Sequence, residues 1–168
     1  MCVAGATFLG KVAPAMARTV QVRLLQTPAG KTFFDPAGVQ IQPGDTVRWV
    51  QVSGFHSVTA YHPRNDNHEL RIPVSAKPWD SDILLADAPK PGSTFEHTFT
   101  VPGVYDYFCK PHEMAGMVGR IVVGAPGDGP ATKPFGYAAA QGRKPVPDAA
   151  RKAFPSIAQI VRKGAVHE

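Results

Sequence analysis

Between Arg18 and Gly124 the apolar residues recur with a period of two. Val20, Val22 and Leu24 alternate with Gln21 and Arg23, Val47, Trp49 and Val52 surround Arg48, and Phe95, His97 and Phe99 alternate with Glu96, Thr98 and Thr100. Successive side chains of a strand leave opposite faces, so this alternation predicts half-buried β-strands. Val104-Tyr105-Asp106-Tyr107-Phe108 and the run Val118 to Val123 predict two more. Turns separate them at Pro43-Gly44-Asp45, Lys90-Pro91-Gly92-Ser93 and Val101-Pro102-Gly103, where proline presets φ and glycine relieves it. About eight short strands with such punctuation predict an all-β domain, a β-sandwich or small barrel. The stretch from Pro63 to Pro91 is less regular and is expected to wrap the outside, pinned to the core by Ile83-Leu84-Leu85.

The pattern changes at both ends. Residues 1–17 are small and apolar, and Ala15-x-Ala17 fits an export cleavage site, although no positive region precedes it. They are expected to be a signal-peptide remnant or a disordered N-terminus, with Cys2 a stray thiol. Residues 18–124 form the main domain and 125–168 a basic, Pro/Gly-rich extension. Gly124-Ala125-Pro126-Gly127-Asp128-Gly129-Pro130 reads as a linker. After it, Asp148 is placed to cap one short helix, and Pro155 to begin a second that Gly164 ends. Phe154, Ile157, Ala158 and Val161 share one helical face and are expected to pack on the sandwich.

With 168 residues and 18.0 kDa, the chain has room for one domain plus appendages. Apolar residues make up 43% and charged ones 18%, which excludes a disordered or coiled-coil chain. The net charge of +5 is unevenly placed: residues 18–123 carry ten basic and ten acidic side chains, whereas 124–168 carry seven and three. A nucleic-acid-binding domain would concentrate its cations in the main domain, so that function class is excluded. The basic tail can meet an acidic partner or an anionic membrane surface.

The chemistry is concentrated in Tyr107-Phe108-Cys109-Lys110-Pro111-His112-Glu113-Met114-Ala115-Gly116-Met117-Val118-Gly119. A thiol, an imidazole three residues later and a thioether five after that form a soft donor set that selects copper cycling between two oxidation states. A second imidazole, His56, follows Ser53-Gly54-Phe55 and opens the strand Ser57 to Tyr61. Met114 rivals Met117 as the thioether, but a single residue separates it from His112, so Met117 is favoured. Among the remaining histidines, His97 reads as a core or rim residue and His167 as a disordered terminus. His62 and His68 sit near the polar loop Pro63-Arg64-Asn65-Asp66-Asn67, within reach of a surface metal.

At these residues the sequence closely resembles the cupredoxins, the small blue-copper proteins of the plastocyanin, pseudoazurin and halocyanin kind. Cys109-x2-His112-x4-Met117 is similar to the plastocyanin ligand loop, Ala115-Gly116-Met117-x-Gly119 to its continuation, and Gly54-Phe55-His56 to the upstream ligand position. The resemblance covers about residues 20–124 and implies a Greek-key β-sandwich of about eight strands, here with a partly helical C-terminal extension. It implies one copper ion held by His56, Cys109, His112 and Met117, and a monomer carrying single electrons between redox proteins such as a cytochrome, oxidase or reductase. The expected location is exported, periplasmic or extracellular. Ser57 stands where plastocyanins carry Asn, so the tie between ligand loops is expected to run through a hydroxyl, with a higher potential. By the same resemblance the edge of His112 is the electron port, framed by Gly54, Phe55, Pro111, Met114 and Ala115. Phe108 replaces the plastocyanin Tyr and the main domain is neutral, which argues against docking through an acidic patch. The alternative is a periplasmic copper carrier or scavenger. An enzyme is disfavoured, since no two histidines are spaced His-x-His.

Overall fold

Residues 16–85 and 93–168 are described by a computed structural model, in which the alternating segments become strands. Cys2, most of the N-terminal segment and the expected turn at Lys90–Gly92 lie outside the described residues. The first sheet contains β1 (Thr19–Gln26), β2 (Thr32–Asp35), β4 (Thr46–Gln51) and β8 (Thr94–Thr98) in the order β2-β1-β4-β8. The second contains β3 (Gly38–Ile41), β6 (Thr59–Ala60), β9 (Gly103–Phe108), β10 (Val118–Val123) and β11 (Ala165–Val166) in the order β11-β3-β10-β9-β6. A small ribbon pairs β5 (Phe55–His56) with β7 (Leu84–Leu85). The pairs β1–β4 and β3–β10 run parallel, because the chain crosses from one sheet to the other between them. The result is a Greek-key β-sandwich.

Inward residues of both sheets form one core. Val22 and Leu24 from β1, Val47 and Trp49 from β4, Tyr105 and Tyr107 from β9, and Ile121 and Val123 from β10 all contribute. Trp49 anchors it, with its ring 5.4 Å from Tyr107 and 5.8 Å from Phe95. Two details of the periodic reading are corrected. Val52 lies beyond β4 and is exposed, while Gln51 takes the inward position, since the alternation that buries Val47 and Trp49 carries on to Gln51. Of Ile83-Leu84-Leu85, Leu84 alone is buried, because successive side chains leave opposite faces and only Leu84 faces inward beside His56.

The extension forms a third layer. Every residue of β9 and of β10 is buried, although one face of each points away from the core. Val104 and Val122 pack there with Ala131 and Ile160, and Phe108 and Val118 with Val146 and Ala150. Its two helices are α1 (Asp148–Ala153) and α2 (Ile157–Lys163). Pro147, not Asp148, holds the N-cap of α1, and Asp148 opens its first turn. The hydroxyl of Ser156 accepts from the Gln159 N–H to cap α2, and Gly164, at φ 75°, ends it.

The expected apolar face of this region is rotated. Ile160 and Pro155 are buried, while Ala158 and Val161 face outward, because α2 meets the sheet through the stripe that includes Ile157 and Ile160. Gly38 makes room for it: a Cβ there would lie 2.7 Å from Ile160. Just beyond the stretch 124–130, the buried Arg71 donates to the carbonyls of Ala131 at 2.7 Å and Lys133 at 2.9 Å. His167 is ordered against the Asp35 carboxylate at 2.8 Å rather than free. No helix among the described residues is long and apolar enough to cross a membrane.

Candidate metal centre

Two chain segments build the site. The first turns at Gly54, where φ is +78° and a Cβ would lie 2.4 Å from the Gln26 side chain, so glycine alone fits. It delivers His56 at the end of β5. The second leaves β9 at Phe108, passes through Cys109, coils as a 3-10 turn over Lys110–Ala115 and returns into β10. This loop is tight. Cys109 N–H donates to the Met117 carbonyl at 3.0 Å, His112 N–H to Cys109 at 3.0 Å, and Met117 N–H to His112 at 3.1 Å.

The fold brings three donor atoms together. His56 Nδ1 lies 3.6 Å from Cys109 Sγ, His112 Nδ1 lies 3.4 Å from it, and the two imidazole nitrogens are 3.2 Å apart. These form the one group of three or more such side chains placed to hold a metal ion among the described residues. His56 Nε2 meets the Ser53 carbonyl at 2.9 Å, which puts its proton there and leaves the Nδ1 lone pair facing inward. Met117 is fully buried in the same core as Cys109, whereas Met114 is 75% exposed.

Electrostatics favours a cation at this point. Burial, reinforced by the neighbouring His112, pushes the pKa of His56 down to about 4, and burial also lowers that of His112. Burial drives the Cys109 thiol up to about 11, against the hydrogen bonds of Ser57 that favour its anion. Lone-pair nitrogens and a thiol crowded out of water are poorly satisfied by one another and well satisfied by a metal ion that displaces the thiol proton. Two imidazoles and a thiolate, with the Met117 side chain buried in the same core as Cys109, fit copper, with Ser57 supporting them. The Ser57 N–H donates to Cys109 Sγ at 3.4 Å, and its hydroxyl accepts from Lys110 N–H at 2.8 Å, joining the two segments.

Around the partly exposed His112 the surface is apolar. The Phe55 ring stands 5.1 Å from that imidazole, and Pro111, Met114 and Ala115 are all exposed. Sequence reasoning missed Leu85, which pairs with Phe55 across the β5–β7 ribbon and is half exposed. No local pattern marks it, since the pairing joins distant segments. Glu113 was also missed: it lies inside the ligand loop yet is buried. The surface-metal reading of His62 and His68 fails, because His68 turns inward against Tyr61 and Phe108, at 5.1 and 4.7 Å between rings. His97 stacks on Trp79 at 4.7 Å.

Residues 21–124 match the model of the copper-binding proteins of the plastocyanin/azurin family. The chain is 33% identical over 121 residues to a chloroplastic plastocyanin of Tetradesmus obliquus, covering 71% of this chain and 77% of that one. It is 32% identical over 125 residues to a pseudoazurin of Paracoccus pantotrophus, covering 74% and 76%. Among solved structures, a pseudoazurin from Sinorhizobium meliltoi aligns with a TM-score of 0.52 and 29% identity, covering 82% of this chain and 91% of that one.

Proposed function

Because the chain belongs to the plastocyanin/azurin family of copper-binding proteins, we propose that His56 Nδ1, Cys109 Sγ, His112 Nδ1 and the Met117 thioether hold its one copper ion, and that electrons enter and leave at the exposed edge of His112. The protein is a cupredoxin, an electron carrier rather than an enzyme, and it works with redox partners. The observation that carries the ligand assignment is the convergence of one sulfur and two imidazole nitrogens from separate segments. Copper supplies the one-electron step between Cu(I) and Cu(II).

The chain supplies a rigid seat. The Ser57 N–H favours a thiolate at Cys109, and the Lys110–Ser57 bond keeps the two ligand segments in register. The apolar patch of Phe55, Met114 and Leu85 suits brief docking, which a carrier needs in order to leave after delivery. Residues 18–124 act as the copper domain, and 125–168 as its cover. Lys133, Lys144, Lys152, Arg162 and Lys163 lie exposed on that cover and support contact with an acidic partner or an anionic surface. We place the working protein in an exported compartment, periplasmic or extracellular, supported by the small apolar segment ending at Ala17. A mature N-terminus at Arg18 in protein recovered from its host is the expected result.

Titration with Cu(II), followed by visible absorption, tests the site. An intense thiolate-to-copper band should appear, bleach reversibly on reduction and be absent from Cys109→Ala. Copper bound without that band, or released on reduction, would overturn the carrier reading in favour of a copper-handling protein.

A further inference from the structure

Glu113 has no role in the donor set, yet it is the buried member of an otherwise exposed stretch. Pro111, Met114 and Ala115 on either side of it face solvent, while Glu113 is 9% exposed. A carboxyl leaves water at a cost unless it is bonded where it goes. Here the fully buried Tyr61 hydroxyl donates to Glu113 Oε1 at 2.7 Å. His68 Nε2 lies 3.6 Å from the other oxygen, too far for a hydrogen bond but close enough to wall the pocket. The Tyr61 and His68 rings meet edge to face, and both lie against Phe108, the residue before Cys109, at 4.4 and 4.7 Å. One buried cluster thus touches the ligand loop at its start through Phe108 and at its middle through Glu113.

The outer side of the loop is held as closely. Helix α1 lies on the 3-10 turn, and Gly116, at φ +88°, is pressed against it. A Cβ at that position would sit 3.3 Å from the Ala149 carbonyl and 3.4 Å from the Ala153 methyl. Glu113 is bonded to the adjoining backbone too: its carbonyl accepts from the Gly116 N–H at 2.9 Å. It follows His112 directly, and the Met117 N–H bonds back to the His112 carbonyl. A displacement of Glu113 therefore moves the backbone that carries both residues.

We propose that Glu113 is a positioning residue of the copper site: its bond to Tyr61, beside His68 and beneath α1, sets where His112 and Met117 stand relative to Cys109. The inference rests on the ligand assignment above and adds a residue to it. Tyr61 anchors the carboxylate side chain from the sandwich, and α1 stops the turn from lifting away. Helix α1 thereby becomes part of the metal site's frame.

The test compares wild type, Glu113→Ala, Glu113→Gln and Tyr61→Phe in the full chain. Measured on each are the reduction potential, the visible spectrum with copper, and amide hydrogen exchange at His112 and Met117 without metal. Glu113→Ala and Tyr61→Phe should shift the potential, alter the relative intensities of the copper bands, and speed exchange at both amides by roughly 5–30-fold, the factor expected for one lost hydrogen bond. Glu113→Gln keeps an oxygen for Tyr61 and should stay near wild type in all three. Ile160→Ala in α2 serves as a control for general destabilisation. Lower melting temperatures with unchanged potential and spectrum, as in that control, would overturn the inference and leave Glu113 a packing residue. A Glu113→Gln variant shifted as far as Glu113→Ala would overturn it too, assigning the effect to charge instead. A wild type that binds copper without the thiolate band would overturn the ligand assignment itself, a failure recognisable before any variant is compared.

Discussion

The two sheets carry the same kind of cross-strand ion pair in opposite surroundings. On the first sheet Arg48 of β4 stands opposite Glu96 of β8, with the two side chains 49% and 46% exposed. On the second, Arg120 of β10 stands opposite Asp106 of β9, at 8% and 0%. Arg120 bonds Asp106 through Nε at 2.6 Å and a terminal nitrogen at 3.0 Å, and Arg71 Nε adds a third bond at 3.0 Å. The guanidinium groups lie over the Phe154 and Phe135 rings of the extension, 4.8 and 4.2 Å from the centroids. Water can replace either partner of the first pair. The extension shields the second from water, so its worth depends on the cover and the cover's on it.

The sharpest way to break this contrast is Asp106→Ala, which removes the carboxylate shared by two buried arginines and leaves Arg71 with Glu69 at 3.9 Å alone. Its expected loss of unfolding free energy is about 3–5 kcal/mol. Denaturant unfolding measures it, and a loss no greater than that of an exposed pair would mean that the extension lifts and admits water. Next comes acid. His56 binds its proton only near pH 4 in the folded chain but near its ordinary 6.5 when unfolded. Burial lowers His68 and His97 in the same direction. The unfolded chain then holds more protons between these values. Stability of the metal-free protein should be complete above pH 6.5 and decline as pH falls toward 4, seen as a dropping melting temperature. Bound copper should move the onset of that decline to lower pH, because it occupies the lone pair the proton would take.

Smaller effects refine the comparison. Ser156→Ala removes the cap of α2 and should cost about 1 kcal/mol, with faster amide exchange confined first to that helix and β11. Arg48→Ala should cost no more than about 1 kcal/mol, and less in high salt, because its pair stands in water. Equal losses from Arg48→Ala and Asp106→Ala would remove the distinction between the sheets.

What the sequence made legible follows the reach of each signal. Alternation at Val20–Leu24 and Val47–Trp49 marks strands because neighbouring residues settle it. The spacing from Cys109 to Met117 is equally local, and it placed three candidate ligands on one loop. His56 was singled out as the second imidazole, but its proximity to His112 depends on the closure of two sheets. Asp106 interrupts the apolar run of β9, and no neighbouring residue marks it as buried. Its two arginine partners lie on β10 and on an irregular loop, beyond any periodic pattern. Glu113 was hidden for the same reason: its partner Tyr61 is remote in sequence. The helical face differs from the expected one because the seat of Ile160, the gap at Gly38 on β3, is remote in sequence.

The position of β11 bears on how the molecule is made. It is the last strand in the chain, and it lines the edge of β3, one of the earliest. Until it arrives, β3 offers a row of unsatisfied N–H and C=O groups next to the slot at Gly38 that Ile160 later fills. A chain emerging from the ribosome can assemble the segments bearing His56, Cys109 and His112 while this margin is still open. During synthesis β3 is therefore the edge along which nascent molecules can pair, and β11 blocks that association once it docks.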